Sequence, residues 1–427
     1  MVADLSYQGS VDRSSIEPRL THALVLIALT GLLVSNSIPA AAFGVLSALG
    51  VRRAIRDGLS PRDRMLLAVL AILPLYVAFN MAFTGWSAPA MQRPVRLLLA
   101  WAAYIQLSRT GLSRRTCELG VLAALALGGI WAVWKIIDGA TGRIAGAEGP
   151  IHFGNFGLLL GLVALAGAFA TGSQTDRTAS EARTRVYGLM GFVTGLWLSA
   201  VSGTRAGWLA LLLVLPPLLY SVLSRVRKPH RWLLAVLMTA SMVAIGVTAG
   251  VQDRVGTARQ ELEQIIQAND LRDVSTSIGL RAHMWEIGAA AFMNKPLMGI
   301  GVGNLHTYLE AGIASGTMNP ELTHHRHLHN DLVTSLATGG LLGGAALSAL
   351  WFGLLAFFRS TASGSPDATY FSRAGFIVSA ATIVFSLTDS MFGTSTGINS
   401  FVILVGVFAG GFRYAELHPR RLQNVQA

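Results

Sequence analysis

NDLVTSLATGGLLGGAALSALWFGLLAFF, residues 330–358, is an apolar run whose one ionisable side chain, Asp331, stands at its start. A helix needs ~20 such residues to cross ~30 Å of hydrocarbon, and this run supplies more. Outward from it the chain repeats one pattern, long apolar runs broken by short basic patches. Spans are expected at roughly 20–35, 37–51, 65–83, 94–108, 117–137, 151–171, 186–202, 206–223, 232–250, 330–358, 373–391 and 396–413. Hydrophobic residues make up 52% of the chain and charged residues 13%, where a soluble domain typically carries roughly 25% charged residues. Without water in the bilayer, backbone groups must bond internally, which a helix does within one segment. A barrel would alternate apolar and polar residues, and these runs do not. The expected fold is all-α, a polytopic membrane protein of about twelve transmembrane helices.

The net charge of +11 is explained by topology, and no nucleic-acid partner is expected. Two thirds of the 33 lysines and arginines fall in alternate connections, in patches at 13–19, 52–64, 109–115, 177–185, 225–231, 359–373 and 413–421. By the positive-inside rule those connections and both termini are cytoplasmic, in a bacterial inner membrane. The chain then divides into helices 1–9 (1–250), a large periplasmic loop (251–328), helices 10–12 (329–413) and a cytoplasmic tail (414–427). The first apolar run is expected to be an uncleaved span, and a single cysteine, Cys117, excludes a disulfide within the chain. The long loop reads as helical. Residues 281–294 carry Trp285, Gly288, Ala289, Phe292 and Met293 on one stripe, with Ser277 as a possible cap and Pro296 at the end.

The exceptions to the positive-inside pattern are the informative residues. Arg93, Arg96, Arg143 and Arg205 sit at expected periplasmic ends of spans, and Arg281 lies early in the loop's stripe helix. Snorkelling to headgroups or an internal ion pair would explain any one of them. As a group on one face, their planar forks suit a polyanionic headgroup such as a diphosphate. Arg205 lies in Ser202-Gly203-Thr204-Arg205-Ala206-Gly207, a turn of small residues that lets a ligand approach the backbone.

The densest polar cluster, His324-His325-Arg326-His327-Leu328-His329-Asn330-Asp331, stands where the loop re-enters the membrane. Zinc is the first thought for four histidines, but no HExxH pattern or suitably spaced acid accompanies them. A solvated interfacial patch and a general base remain, since histidine ordinarily titrates at roughly 6.5. If a helix runs unbroken from 329, Gly340 and Gly343 fall on the face of His329, and a neighbouring helix can pack close there. The run Pro296–Asn304 looks like a phosphate loop, but no lysine-serine follows it and no strand precedes it. A flexible turn is expected instead. Asp389, near the outer end of the eleventh span, is placed to orient a histidine or pair with an arginine.

His329-Asn330 followed after nine residues by Gly340-x-x-Gly343 resembles the signature of the O-antigen ligase family. The expected layout, with one large loop between spans nine and ten ending at the histidine, is similar too. Arg281-x-x-x-Trp285 with Pro296-Leu-x-Gly-x-Gly-x-Gly-Asn304, the Ser202–Gly207 turn and Arg93-Pro-x-Arg96 resemble further parts of that superfamily. The resemblance spans most of residues 90–400. It implies transfer of a glycan from an undecaprenyl-diphosphate carrier to a sugar hydroxyl of the lipid A–core oligosaccharide, without metal, nucleotide or other cofactor. His329 would be the base, with Arg205, Arg281, Arg143, Arg93 and Arg96 on the diphosphate. Asn330, Asp389, Gly340 and Gly343 would support the site, and the other cluster histidines, His324, His325 and His327, stand where they could assist. An O-antigen polymerase or a protein O-oligosaccharyltransferase would use the same donor. A transporter or flippase for lipid-linked glycans would suit the helices and arginines, but no inverted repeat or matching pair of broken helices is visible.

Overall fold

The structure, a computed structural model, describes residues 13–140, 142–170, 179–223, 249–268, 270–359 and 365–419. The described residues are helical, with no strand. In chain order the helices are α1 (Arg13–Thr30), α2 (Ser37–Asp57), α3 (Pro61–Thr84), α4 (Ala88–Val95), α5 (Leu97–Thr110), α6 (Arg114–Ile137), α7 (Pro150–Ala168), α8 (Ala179–Ser202), α9 (Arg205–Leu223), α10 (Ala249–Gln267), α11 (Ser277–Asn294), α12 (Leu305–Ala314), α13 (Asp331–Arg359), α14 (Pro366–Thr388) and α15 (Ser395–Leu417). Helices α2, α3, α6, α7, α13, α14 and α15, seven in all, are long and apolar enough to cross a membrane. The chain is a multi-pass helical membrane protein. Of the twelve expected spans, the ninth, 232–250, lies almost wholly outside the described residues. The fourth, 94–108, is divided at Arg96 between the short α4 and α5.

α7 and α15 form the centre, almost wholly buried, and their neighbours expose apolar faces outward as lipid-facing helices do. Small residues allow this close packing. A Cβ at Gly195 of α8 would sit 2.5 Å from the Gly157 carbonyl oxygen of α7, and one at Gly406 of α15 would sit 2.9 Å from that of Ala100 in α5. In a bilayer, where lipid tails are as apolar as leucine, such van der Waals approach is what holds helices together.

The two ends of the bundle differ in electrostatics. At the end formed by the close of α2, α5 and α15 and the start of α3 and α6, several basic residues are paired. Arg53 meets Glu17 and Gln106, Arg109 meets Asp63 at 3.1 Å, Arg62 meets Glu416 at 3.2 Å, and Arg114 meets Glu118 at 2.7 Å. Asp63 also completes a reciprocal cap with Ser60 at the start of α3. The opposite end carries the 324–331 cluster.

α13 does not run as the sequence suggested. It starts at Asp331, so His329 precedes the helix, and its backbone breaks at Gly340 (φ 61°, ψ −159°). The 296–301 loop fills that break. Leu341 N–H donates to the Pro296 carbonyl (2.7 Å), Ile300 N–H to that of Ala337 (3.0 Å) and Gly301 N–H to that of Thr338 (2.9 Å). The glycine-rich run is thus a hydrogen-bonded wedge, not a flexible turn, and the amides of Gly299, Ile300, Gly301, Val302 and Asn304 are spent on protein acceptors. α3 secures it from the other side. Tyr76 donates to the Gly339 carbonyl, and Asn80 donates to that of Met298 (2.8 Å) and accepts from Val302 N–H (3.0 Å). The shared-face argument for His329, Gly340 and Gly343 therefore fails. Gly340 matters because it alone can take the positive φ and admit the loop.

α11 also departs from its expected details. Thr276, not Ser277, caps it, through Thr276 Oγ1 and Gly279 N–H at 3.2 Å. The buried face is His283, Met284, Ile287, Gly288 and Ala291, one position round from the expected stripe, and Met293 is 74% exposed. Small Gly288 and Ala291 let the helix approach Leu328 and Val333, which larger residues on that face would prevent.

Candidate active site

His329 is the one non-glycine with positive φ (47°) among the described residues. A non-glycine in this region is uncommon and persists where its surroundings over-determine it. Those surroundings are the 387–392 segment after α14. His329 Nδ1 lies 2.7 Å from Asp389 Oδ1. Asn330 donates to the Leu387 carbonyl at 2.9 Å, while its Oδ1 accepts from Leu332 and Val333 N–H (2.9 and 3.0 Å) and caps α13. Asp331 accepts from Ser390 Oγ (2.8 Å), Met391 N–H (2.8 Å) and Phe392 N–H (3.1 Å). Three consecutive side chains are thus tied to one segment about 60 residues on. From α11, Trp285 Nε1 donates to the Leu328 carbonyl at 3.1 Å, which holds the residue before His329.

The other cluster histidines surround the ring. His325 Nδ1 lies 3.2 Å from His329 Nε2, and the His327 ring stands edge-on at 4.5 Å between centroids. Burial would raise the Asp389 carboxyl, but the hydrogen bond and charge of His329 and the Ser390 amide outweigh it and hold it at about 2. Burial pushes His327 down to about 4, helped by His329 and opposed by Asp389. Among the described residues its Nδ1 is enclosed without a hydrogen-bond partner. Asp389 is therefore a fixed carboxylate, and His329, donating from Nδ1, presents Nε2 as its basic nitrogen. The side chain of His324 lies outside the described residues. Among the described residues no three of His, Cys, Asp and Glu are gathered as metal ligands.

The arginines fall into two groups. Arg281 is one turn before Trp285 on α11 and close enough to Asp389 to help lower its carboxyl. Arg93, on α4, feels Arg326 and Arg96 and acts on His327 in turn. Burial and those like charges disfavour the Arg93 cation, with Glu148 partly compensating. Among the described residues, Arg281, Arg93 and Arg326 make no hydrogen bond or ion pair. Arg96 instead donates to Asn399 Oδ1 at 2.9 Å, and Arg143 Nε donates to the Ser202 carbonyl at 2.8 Å. The Ser202–Arg205 turn is clamped to the start of α7, with Ser202 Oγ 2.7 Å from Thr204 Oγ1, which donates to the Pro150 carbonyl at 3.1 Å. Arg205 opens α9, and its side chain lies outside the described residues. Gly343 is buried in α13 beside Tyr76.

Sequence reading missed several residues here. His152 of α7 reaches Thr394 (2.8 Å), and Glu148 accepts from Thr396 N–H (3.2 Å), so both brace the start of α15 beside the site. Arg326 sat inside the cluster as a bystander, and Tyr76 and Asn80 were ordinary span residues. No spacing joins 80 to 298 or 152 to 394. The only available signal was polarity within apolar runs, where a buried amide or imidazole needs a partner.

A carboxylate-held histidine with arginines nearby can abstract a proton beside a bound polyanion. Residues 190–348 match the family described as O-Antigen ligase. Over 172 residues the chain is 24% identical to an uncharacterized protein of Haemophilus influenzae, an overlap of 39% of this chain and 41% of that one. The chain thus spans about two fifths of the length of that relative.

Proposed function

We propose, for a chain that belongs to the O-antigen ligase family through residues 190–348, that it transfers a glycan from undecaprenyl diphosphate to a sugar hydroxyl of lipid A–core oligosaccharide. The reaction takes place at the periplasmic face of the bacterial inner membrane, in a bundle of about twelve spans with both termini cytoplasmic. One observation carries the reading: His329 is held by Asp389 at 2.7 Å, with Arg281 near enough to act on Asp389 and Arg93 near enough to act on His327, neither of them in an ion pair among the described residues.

The acceptor oxygen bonds to the anomeric carbon as its proton passes to His329 Nε2. The bond from that carbon to the diphosphate breaks, and its electron pair leaves with the lipid diphosphate. Attack opposite the leaving group inverts the centre. Arg281 and Arg93, with Arg205, Arg143 and Arg96, stabilise the departing charge, which preorganised cations do best in a site of low dielectric. Asp389 fixes the tautomer of His329 and stabilises the imidazolium. No metal or other cofactor is required, since guanidinium supplies the positive charge.

The test uses purified full-length chain in lipid, an undecaprenyl-diphosphate-linked glycan, a lipid A–core acceptor and a chelator, with His329→Ala beside the wild type. Joining by the wild type and none by an equally folded variant is expected. If the wild type binds the donor but joins nothing, the ligase reading fails in favour of polymerisation or carrier transport.

A further inference from the structure

Both ring nitrogens of His329 are engaged, Nδ1 with Asp389 and Nε2 with His325 Nδ1 at 3.2 Å. The second contact joins two groups that can each give and take a proton, and it lies on the nitrogen that must act as base. After one transfer, His329 holds a proton on Nε2 that must leave before another acceptor arrives. Asp389 faces the wrong nitrogen and is held near 2, so it stays a carboxylate. His327 meets His329 through an edge-to-face ring contact, its Nδ1 is enclosed, and burial disfavours its cation. The nearby guanidinium groups of Arg281 and Arg93 are donors and offer no lone pair to take it. His325 is half-buried at the end of a short turn, in extended backbone (φ −96°, ψ 132°), on a segment outside the helices.

We propose that His325 is the proton exit of this site, taking the proton from Nε2 of His329 onto its own Nδ1 between turnovers. In balance, the acceptor hydroxyl gives its proton to His329 during glycan transfer. The His329 imidazolium then gives that proton to His325, which releases it to water and leaves both rings neutral. His325 yields the Nε2 position while the acceptor is bound and returns when the product leaves. The role rests on the transferase reading above, and it makes His325 a residue of turnover rather than of the bond-forming step.

The experiment compares wild type, His325→Ala and His325→Gln, as full-length chain in lipid, in single-turnover and steady-state transfer. The single-turnover rate is expected to stay within about twofold, because His329 and Asp389 remain. The steady-state rate is expected to fall about tenfold in both variants, less than the ~100-fold or more that goes with the base of the bond-forming step, and added imidazole should restore it in His325→Ala. An unchanged steady-state rate, or equal loss in both regimes without rescue, overturns the proposal. A second measurement does not depend on activity. In protein labelled with 15N-histidine, coupling across the hydrogen bond between His329 and His325 is expected and should vanish in His325→Ala. If the wild type transfers no glycan but shows that coupling, the transferase reading fails while the proton-sharing pair stands. If coupling is absent, the exit role fails by itself.

Discussion

Asp389 and His329, 60 residues apart in the chain, meet at 2.7 Å because three successive side chains before and within α13 bind the segment that ends α14. The carboxylate fixes which nitrogen of the imidazole carries a proton.

Asp389→Asn keeps the shape and removes the charge. Transfer should fall about 100-fold, the lower range of proton-transfer effects, with protein level unchanged; steady-state assay beside quantitative blotting checks this. The sign of its pH linkage follows from a carboxyl lowered from 3.8 to about 2. Its stabilisation is present above pH ~4 and is lost as pH falls toward 2. The acid loss of stability between those values should therefore be shallower in the variant.

Arg281 makes no hydrogen bond within the described residues, so its removal should cost the fold little. Arg281→Gln is expected to raise the donor KM about tenfold while the unfolding temperature moves by no more than about 2 °C. A large fall in unfolding temperature with unchanged donor KM would assign Arg281 to structure instead.

Gly340→Ala should be damaging. Its φ of 61° is strained for alanine, and the new Cβ would lie 2.5 Å from Met298 N, a backbone atom. A loss of about 3 kcal/mol is expected from strain and collision together, read as a lower unfolding midpoint in detergent. Gly44→Ala, where the added Cβ would meet no described atom outside its own helix backbone and chain neighbours within 4 Å, should stay within about 0.5 kcal/mol.

His327 has a folded-state pKa lowered from 6.5 to about 4, so the unfolded chain binds its proton more readily. Stability from the neutral ring is complete above pH ~6.5 and declines as pH drops toward 4. His327→Gln should flatten the dependence of unfolding temperature on pH within that window. An unchanged slope would show that His327 is not the group responsible.

Sequence alone determined the class of this protein. Charge content, apolar run length and the alternation of basic patches are sums over neighbouring residues, and a membrane span is a local property of about 20 of them. His329, Asp389 and the arginines were also legible as exceptions, because a charged or titratable group near hydrocarbon is costly wherever the chain later goes. Tertiary structure decided what those residues meet. That Asp389 takes Nδ1 of His329, that His325 takes Nε2, and that Arg96 and Arg143 bind Asn399 and the Ser202 carbonyl depends on chain segments far apart in sequence. The break at Gly340 is of the same kind. Residues 331–359 read as one helix until the 296–301 loop, held by Tyr76 and Asn80, offers backbone partners that outcompete the helix's own bonds. Local periodicity cannot register a competitor that arrives from elsewhere in the fold.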